Sequence, residues 1–309
     1  MKNNPNILLA TDYSASVKSA EKYAVQFAKN VHSDLTLLHV ANPYILDEQT
    51  TAFKEKHMEE SVSEEQTKIE AHGKNLLRSS NLSPTDLMLR SIFKEGDASM
   101  EILNETKKTK ADFIVMGTHR ENDFISRIFN NHTWDVVNNA NVPVIMVPES
   151  APFREWKNIV FATEYRRGEM PVIKFLSRMA RRIDAELTIL HISNFALMKE
   201  MEIRLFDVFL KKVKLDIFYK KIIFRMLRNN EITDGLNRFC LDHDVDLLVL
   251  SPQKQTLLKK IFSPDPSVTK RMTYKTKISL MTIPDGYRPE NKNFLTALAN
   301  SRKPAFQDM

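Results

Sequence analysis

The sequence predicts an α/β protein made of two tandem domains, each an open, doubly wound parallel sheet of five strands. Three observations predict it. The first is an internal repeat: NILLATDY at Asn6–Tyr13 returns as NIVFATEY at Asn158–Tyr165, an offset of 152 that holds without a gap to LTLLHV at Leu35–Val40 and LTILHI at Leu187–Ile192. Over those 35 positions 11 residues are identical: Asn6, Ile7, Ala10, Thr11, Tyr13, Lys22, Ala28, Leu35, Thr36, Leu38 and His39 all have their match. The second is a further pair of blocks in the same order, ADFIVMG (Ala111–Gly117) with VDLLVLS (Val245–Ser251), then PVIMVP (Pro143–Pro148) with ISLMTIP (Ile278–Pro284). The third is that short apolar runs alternate with helix-like stretches, the pattern of buried parallel strands with crossover helices. A repeat this long is a duplicated domain rather than a solenoid unit.

In the first copy Ile7–Ala10 is the opening strand, ending in the polar Thr11 and Asp12. Ser14 or Ser16 is expected to cap the helix that follows, where Ala20, Tyr23, Ala24, Phe27 and Val31 recur at helical spacing. Leu35–Val40 is the second strand. The Glu- and Lys-rich segment Asp47–Ser79 reads as one exposed helix with a sparse apolar stripe of Phe53, Val62, Ile69 and Leu76. Leu87–Phe93 is the third strand, Ala98–Lys108 a helix, Phe113–Met116 the fourth strand and Val144–Val147 the fifth. The second copy keeps this order with a shorter long helix. The expected domains are residues 1–150 and 151–286, joined by a short polar linker near Glu149–Glu155. The last strands, Val142–Val147 and Lys277–Ile283, are expected to pair, because an unpaired apolar edge invites aggregation. The tail, 287–309, has no counterpart in the first copy and is either a loose end or a strap across the surface.

Composition sets outer bounds. The chain has 309 residues, 42% hydrophobic and 27% charged, as in an ordinary soluble protein. No run reaches a membrane span and the N-terminus has no apolar signal segment. The single cysteine, Cys240, rules out an internal disulfide and suits a cytoplasmic setting, with core filling as its expected job. Residues 1–150 carry 16 Lys+Arg against 21 Asp+Glu, a net −5, and residues 151–309 carry 29 against 18, a net +11. The basic half invites a nucleic-acid reading. Its cations are dispersed without a basic arm or interleaved aromatics, so a basic surface complementing the acidic half is preferred.

In such sheets ligands sit at the carboxyl ends of the strands, where strand order reverses. There the first copy delivers Thr11 and Asp12, Val40, and Gly117-Thr118-His119-Arg120. The Asp12 carboxylate suits an amine such as adenine N6, and backbone N–H groups after the fourth strand suit phosphate. His39 and His191 stand at equivalent positions, which argues for a shared structural hydrogen bond over metal ligation. His119 and His132 flank the loop after the fourth strand. No metal set, hydrolase elbow or phosphate-binding P-loop appears, so nothing specifies an enzyme.

The blocks NILLATDYS, LTLLHV, GDASMEIL, ADFIVMGTH and PVIMVP, in this order, resemble the universal stress protein family in its tandem form. The resemblance implies flavodoxin-like (adenine nucleotide α-hydrolase-like) domains. In nucleotide-binding members it implies an Asp after the first strand and a loop G-x2-G-x9-G-[ST] after the fourth. Laid on this chain, the loop begins at Gly117, but its other marked positions hold Arg120, Asn130 and Asn131, ahead of Thr133. Arg120 either obstructs a phosphate or binds it, and Asn130 tolerates the left-handed backbone a glycine would supply. In the second copy Asp12 becomes Glu164, Gly117 becomes Ser251, and Pro252 removes an amide. The expectation is therefore a non-catalytic stress-response or signalling protein acting by ligand or partner binding. The alternative is an ATP-binding protein with slow hydrolysis in the first copy. ATP or AMP is the expected ligand if any binds there. Expected partners are the other half of the same chain, a second copy in a homodimer, and an unidentified signalling protein, with neither membrane nor nucleic acid involved.

Overall fold

The computed structural model describes residues 4–41, 51–118, 131–149, 151–166, 168–193, 199–251, 278–284 and 286–288. The first half runs β1 (Asn6–Thr11), a 3-10 turn at Ala15–Val17, α1 (Lys18–Asn30), β2 (Asp34–Ala41), α2 (Thr51–Ser79), β3 (Leu89–Glu95), α3 (Ala98–Lys108), β4 (Phe113–Thr118), α4 (Asn131–Asn139) and β5 (Val144–Pro148). The second half runs β6 (Asn158–Ala162), α5 (Glu169–Arg182), β7 (Glu186–Ser193), α6 (Lys199–Asp216), β8 (Ile222–Arg228), α7 (Ile232–Asp242), β9 (Leu247–Leu250) and β10 (Ser279–Thr282).

All ten strands form one sheet in the order β3-β2-β1-β4-β5-β10-β9-β6-β7-β8. Within each half the pairings are parallel. At the centre β5 and β10 pair antiparallel, Ile145 opposite Met281 and Val144 opposite Thr282. Each half is thus a five-stranded, doubly wound, parallel sheet, and strand order reverses between β1 and β4 and again between β6 and β9. Helices cover both faces, which is why the inner strands bury every second and third residue alike. One core layer runs unbroken across the junction, from Leu9, Leu35, Phe113 and Ile145 to Ile159, Leu187, Leu247 and Met281. On the opposite face Leu8, Ile114 and Met146 continue into Val160, Leu248 and Leu280. Cys240 of α7 lies in this second layer, where burial pushes its thiol up to about 12.

The linker is packed rather than slack. Trp156 is buried, its ring 4.7 Å from that of Phe27, and its indole N–H donates to the Tyr23 hydroxyl at 2.8 Å. Phe153 meets the Tyr23 ring edge-on at 5.1 Å. Helix α1 is therefore held by the segment that leads into the second half.

Two local expectations change. Neither Ser14 nor Ser16 caps α1: the helix is entered through the 3-10 turn, Val17 stands at its N-cap, and the two serine hydroxyls lie 2.7 Å from each other instead. The third strand lies two residues later than the apolar run suggests. The α2 stripe is more than a solvated face, since Ile69 is fully buried and Leu76 and Leu77 nearly so. The α2 helix also closes the sheet edge. The Gln66 side chain donates to the Ser91 carbonyl at 3.2 Å and accepts from the Phe93 amide at 3.0 Å, taking the place of a neighbouring strand on β3.

Candidate functional site

The site is built by the turn after β1. Thr11 is buried at the strand's end, and its Oγ1 donates to Glu21 Oε1 at 2.6 Å while accepting the Tyr13 amide at 3.1 Å. Asp12 Oδ1 accepts the Ser14 amide at 2.9 Å. These two side-chain turns bend the chain so sharply that Tyr13 takes φ +60°, left-handed space that costs a non-glycine residue about 1–2 kcal/mol. The strain is offset by packing. The Tyr13 ring lies 4.3 Å from His39 and 5.1 Å from His72, with Lys68 Nζ 5.0 Å from its centre. Burial, then Glu65 and Glu21, pushes the Tyr13 phenol up to about 12.

Glu21 is 4% exposed and accepts from both Thr11 and His72, the latter at 2.8 Å. His39 Nδ1 lies 2.8 Å from the Thr11 carbonyl, which can only accept, so Nδ1 carries the proton. His191 does the same to Thr163 at 2.8 Å in the second half. Both histidines thus tie the first strand of their half to the second, and His191 Nε2 also meets the buried Glu202 at 3.1 Å.

The sheet register brings several expected site residues together. Thr11 pairs with His39, so Val40 lies abreast of Asp12, and Ala10 pairs with Met116, so Gly117 lies abreast of Thr11. Gly117 has a packing reason of its own: a Cβ there would stand 3.0 Å from Val17 Cα. Asn131 begins α4, and Thr133, in its first turn, is buried. His119, Arg120 and Asn130 lie outside the described residues, as does most of the loop on which the phosphate question turns. Glu21, Tyr13 and His72 were not singled out from the sequence, although the Tyr13–Tyr165 identity was a signal for the turn.

The second half builds the same turn with different parts. Thr163 Oγ1 donates to Glu169 Oε2 at 2.6 Å and accepts from the Tyr165 amide at 3.0 Å, and Tyr165 has φ +61°. Under the repeat offset, Glu169 stands where the first copy has Val17, and Ile173 where it has Glu21. The buried carboxylate has moved by one helical turn and still reaches the same threonine. Arg166 then enters the crevice. Its Nε lies 3.2 Å from both Glu164 Oε2 and Glu169 Oε1, and its Nη2 donates to the Ser251 carbonyl. Glu169 is fully buried and also accepts the amides of Glu164 at 3.1 Å and Arg166 at 3.3 Å. Burial raises its carboxyl above the usual range against the pull of Thr163, the two amides and Arg166. The carboxyl ends of β6 and β9 are thus bridged by the protein's own guanidinium.

A cavity of about 1020 Å³ opens at the other ends of the first-half strands, against Asn4, Asp34, Arg90, Lys108, Asp112 and Arg288. It is remote from the Thr11–Tyr13 turn, and the Asp112 carboxylate there is engaged with the Asn6 amide at 3.0 Å. Among the described residues no helix is long and apolar enough to cross a membrane.

Among solved structures, a universal stress protein from Archaeoglobus fulgidus DSM 4304 superposes with a TM-score of 0.65 at 15% identity, covering 92% of this chain and 99% of that one. A functionally unknown protein from Pseudomonas aeruginosa PAO1 gives 0.54 at 15% identity, with 96% of each chain covered. At these identities the likeness is one of fold. No curated protein matches the sequence. The sequence model of the universal stress protein family matches residues 3–148, the half that carries the Thr11–Asp12–Gly117 crevice. Residues 3–148 thus match the universal stress protein family, and the second half repeats the fold of that half.

Proposed function

We propose that this is a non-catalytic, cytoplasmic stress-response protein that acts by binding a ligand or a signalling partner, and that any small ligand enters the first copy alone. The observation that carries this reading is the Arg166 bridge, which joins Glu164, Glu169 and the Ser251 carbonyl across the second crevice; at the matching strand ends the first copy places Thr11, Asp12, Val40 and Gly117. ATP or AMP suits the first crevice in its chemistry, with Asp12 and Val40 on the base side. Arg120, Asn130 and Asn131 replace the loop residues that nucleotide-binding relatives use for phosphate.

Calorimetric titration with AMP and with ATP tests this, using the parent protein and Asp12→Ala. Binding at one site per chain, weakened in the variant, is the expected result for a nucleotide ligand. Two sites per chain, or undiminished binding by Asp12→Ala, overturns the assignment. The second reading, slow ATP hydrolysis in the first copy, is favoured by the same Thr11–Asp12–Gly117 grouping. Phosphate release that is abolished by Asp12→Ala would establish it over the non-catalytic one.

A further inference from the structure

The two outer edges of the sheet, β3 and β8, are finished differently. On β3 the Gln66 side chain answers the Ser91 carbonyl and the Phe93 amide. The register makes Phe224 and Met226 of β8 their counterparts: Leu37 pairs with Ser91 and His39 with Phe93, while Ile189 pairs with Phe224 and His191 with Met226. The Leu187 amide donates to the Lys221 carbonyl at 2.9 Å and the Asn229 amide to the Ser193 carbonyl at 3.0 Å, so Lys221 and Asn229 face β7. Backbone groups alternate sides along a strand, and Phe224 and Met226 therefore turn theirs outward. Among the described residues nothing bonds the outward amides and carbonyls of these two. Helix α6, on this side of the sheet, directs its buried carboxylate Glu202 to His191 and Ser193 of β7 instead.

We propose that the β8 edge is a docking site for an acidic, extended peptide segment of a partner protein, which adds a further strand to the sheet. Charge selects this occupant. Arg225 and Arg228 of β8 and Lys220 just before it are exposed, and among the described residues none of the three is in an ion pair. The strand has no acidic residue of its own. Nearby acids are engaged, Asp184 with Lys221 at 2.8 Å and Asp216 with Lys174 at 2.7 Å. Glu231, also exposed, stands three residues past the strand, and α6 adds the exposed Lys211, Lys212 and Lys214 against Asp207, so the edge is cationic. Apolar cover is wanted on both faces: Phe224 belongs to the layer under α6 and Leu227 to the opposite one, and both are only partly buried. A nucleic acid has the charge but no amides and carbonyls to continue the ladder. A second copy offering its own β8 would set Arg225 and Arg228 against their like, the usual guard on an edge strand. The seven residues of β8 span about 23 Å, room for a segment of about five to seven residues. This edge is the outer limit of the second half and is independent of any ligand in the first crevice.

The test uses the full chain and a fluorescein-labelled peptide of about eight alternating Glu and Val residues. Its fully N-methylated form keeps the charge but loses the donors for pairing, and an alternating Lys and Val peptide reverses the charge. Fluorescence anisotropy should show saturable binding of the Glu–Val peptide, weakened about tenfold or more in either comparison peptide and about tenfold by Arg225→Glu. Arg90→Glu, the reversal of an exposed cation on the closed β3 edge, should leave binding unchanged. Met226→Pro removes an outward amide without breaking a sheet bond and should abolish binding. In the parent protein, hydrogen exchange at the Phe224 and Met226 amides should slow when the peptide is added, a readout that needs no variant. No binding of the Glu–Val peptide up to about 1 mM, equal binding of its N-methylated form, or unchanged exchange at those two amides overturns the proposal. So does a dimer in sedimentation equilibrium that Met226→Pro dissolves, which would give the edge to a second copy instead.

Discussion

Removing Arg166 tests whether the second crevice is held shut by its own charges. In Arg166→Met the apolar stem is kept, and the guanidinium contacts to Glu164, Glu169 and the Ser251 carbonyl are lost. Breaking a buried pair costs about 3–5 kcal/mol, because the remaining charge has no counterpart. Here the lower end applies, about 3 kcal/mol, for two reasons. Glu169 keeps the Thr163 hydroxyl and two amides as donors, and Glu164, 32% exposed, turns to water. In Glu169→Gln the Arg166 side chain retains Glu164, so a loss of about 1–2 kcal/mol is expected. The double variant has no stranded charge. Its loss should be about 1–2 kcal/mol smaller than the sum of the single losses, a coupling typical of residues in one network. Urea unfolding followed by circular dichroism, on all four proteins at pH 7, measures this cycle. A loss below about 1 kcal/mol in Arg166→Met, with additive single effects, would refute the closed crevice.

Three further outcomes follow from the same contacts. Gly117→Ala should lower stability by about 1–3 kcal/mol, because its Cβ meets backbone at Val17 that cannot rotate away; a neutral effect in thermal unfolding would count against the close packing of β4 on the 3-10 turn. Because burial raises the Glu169 carboxyl in the folded state, the stability it contributes is full below the unfolded value of about 4.3 and lost as pH rises through the folded one. The stability of the parent relative to Glu169→Gln should therefore fall as pH rises above that unfolded value, and a flat or rising difference would contradict it. Gln66→Ala should cost about 1–2 kcal/mol for two lost edge hydrogen bonds and raise the tendency of β3 to self-associate, seen as light scattering on mild heating.

Most of the framework was legible in the sequence because strand cores repeat. Identities at Asn6, Ile7, Ala10 and Thr11 and at Leu35, Thr36, Leu38 and His39 sit on β1 and β2, where burial on both faces restricts substitution. The shared role of His39 and His191 followed from that repetition. What stayed hidden depends on positions that do not align. Glu21 and Glu169 serve the same threonine from places one helical turn apart, so a residue-by-residue comparison shows a lost acid twice instead of a kept acid once. Arg166 aligns with Ser14, a small residue facing the turn, and nothing in its neighbours marks it as the side chain that crosses to Ser251. The serines near α1 looked like caps because of their type and place, but the intervening 3-10 turn spent them on each other.

The antiparallel seam between β5 and β10 has a consequence for how the two copies could diverge. Strands in the halves run in opposite directions, so the mouth at the ends of β1 and β4 opens on one rim of the sheet and that at β6 and β9 on the other. A duplicated chain joined in this way holds two separate hearings for selection. The second mouth is bridged by Arg166 and the first carries Asp12, while the β5–β10 seam is common to both halves.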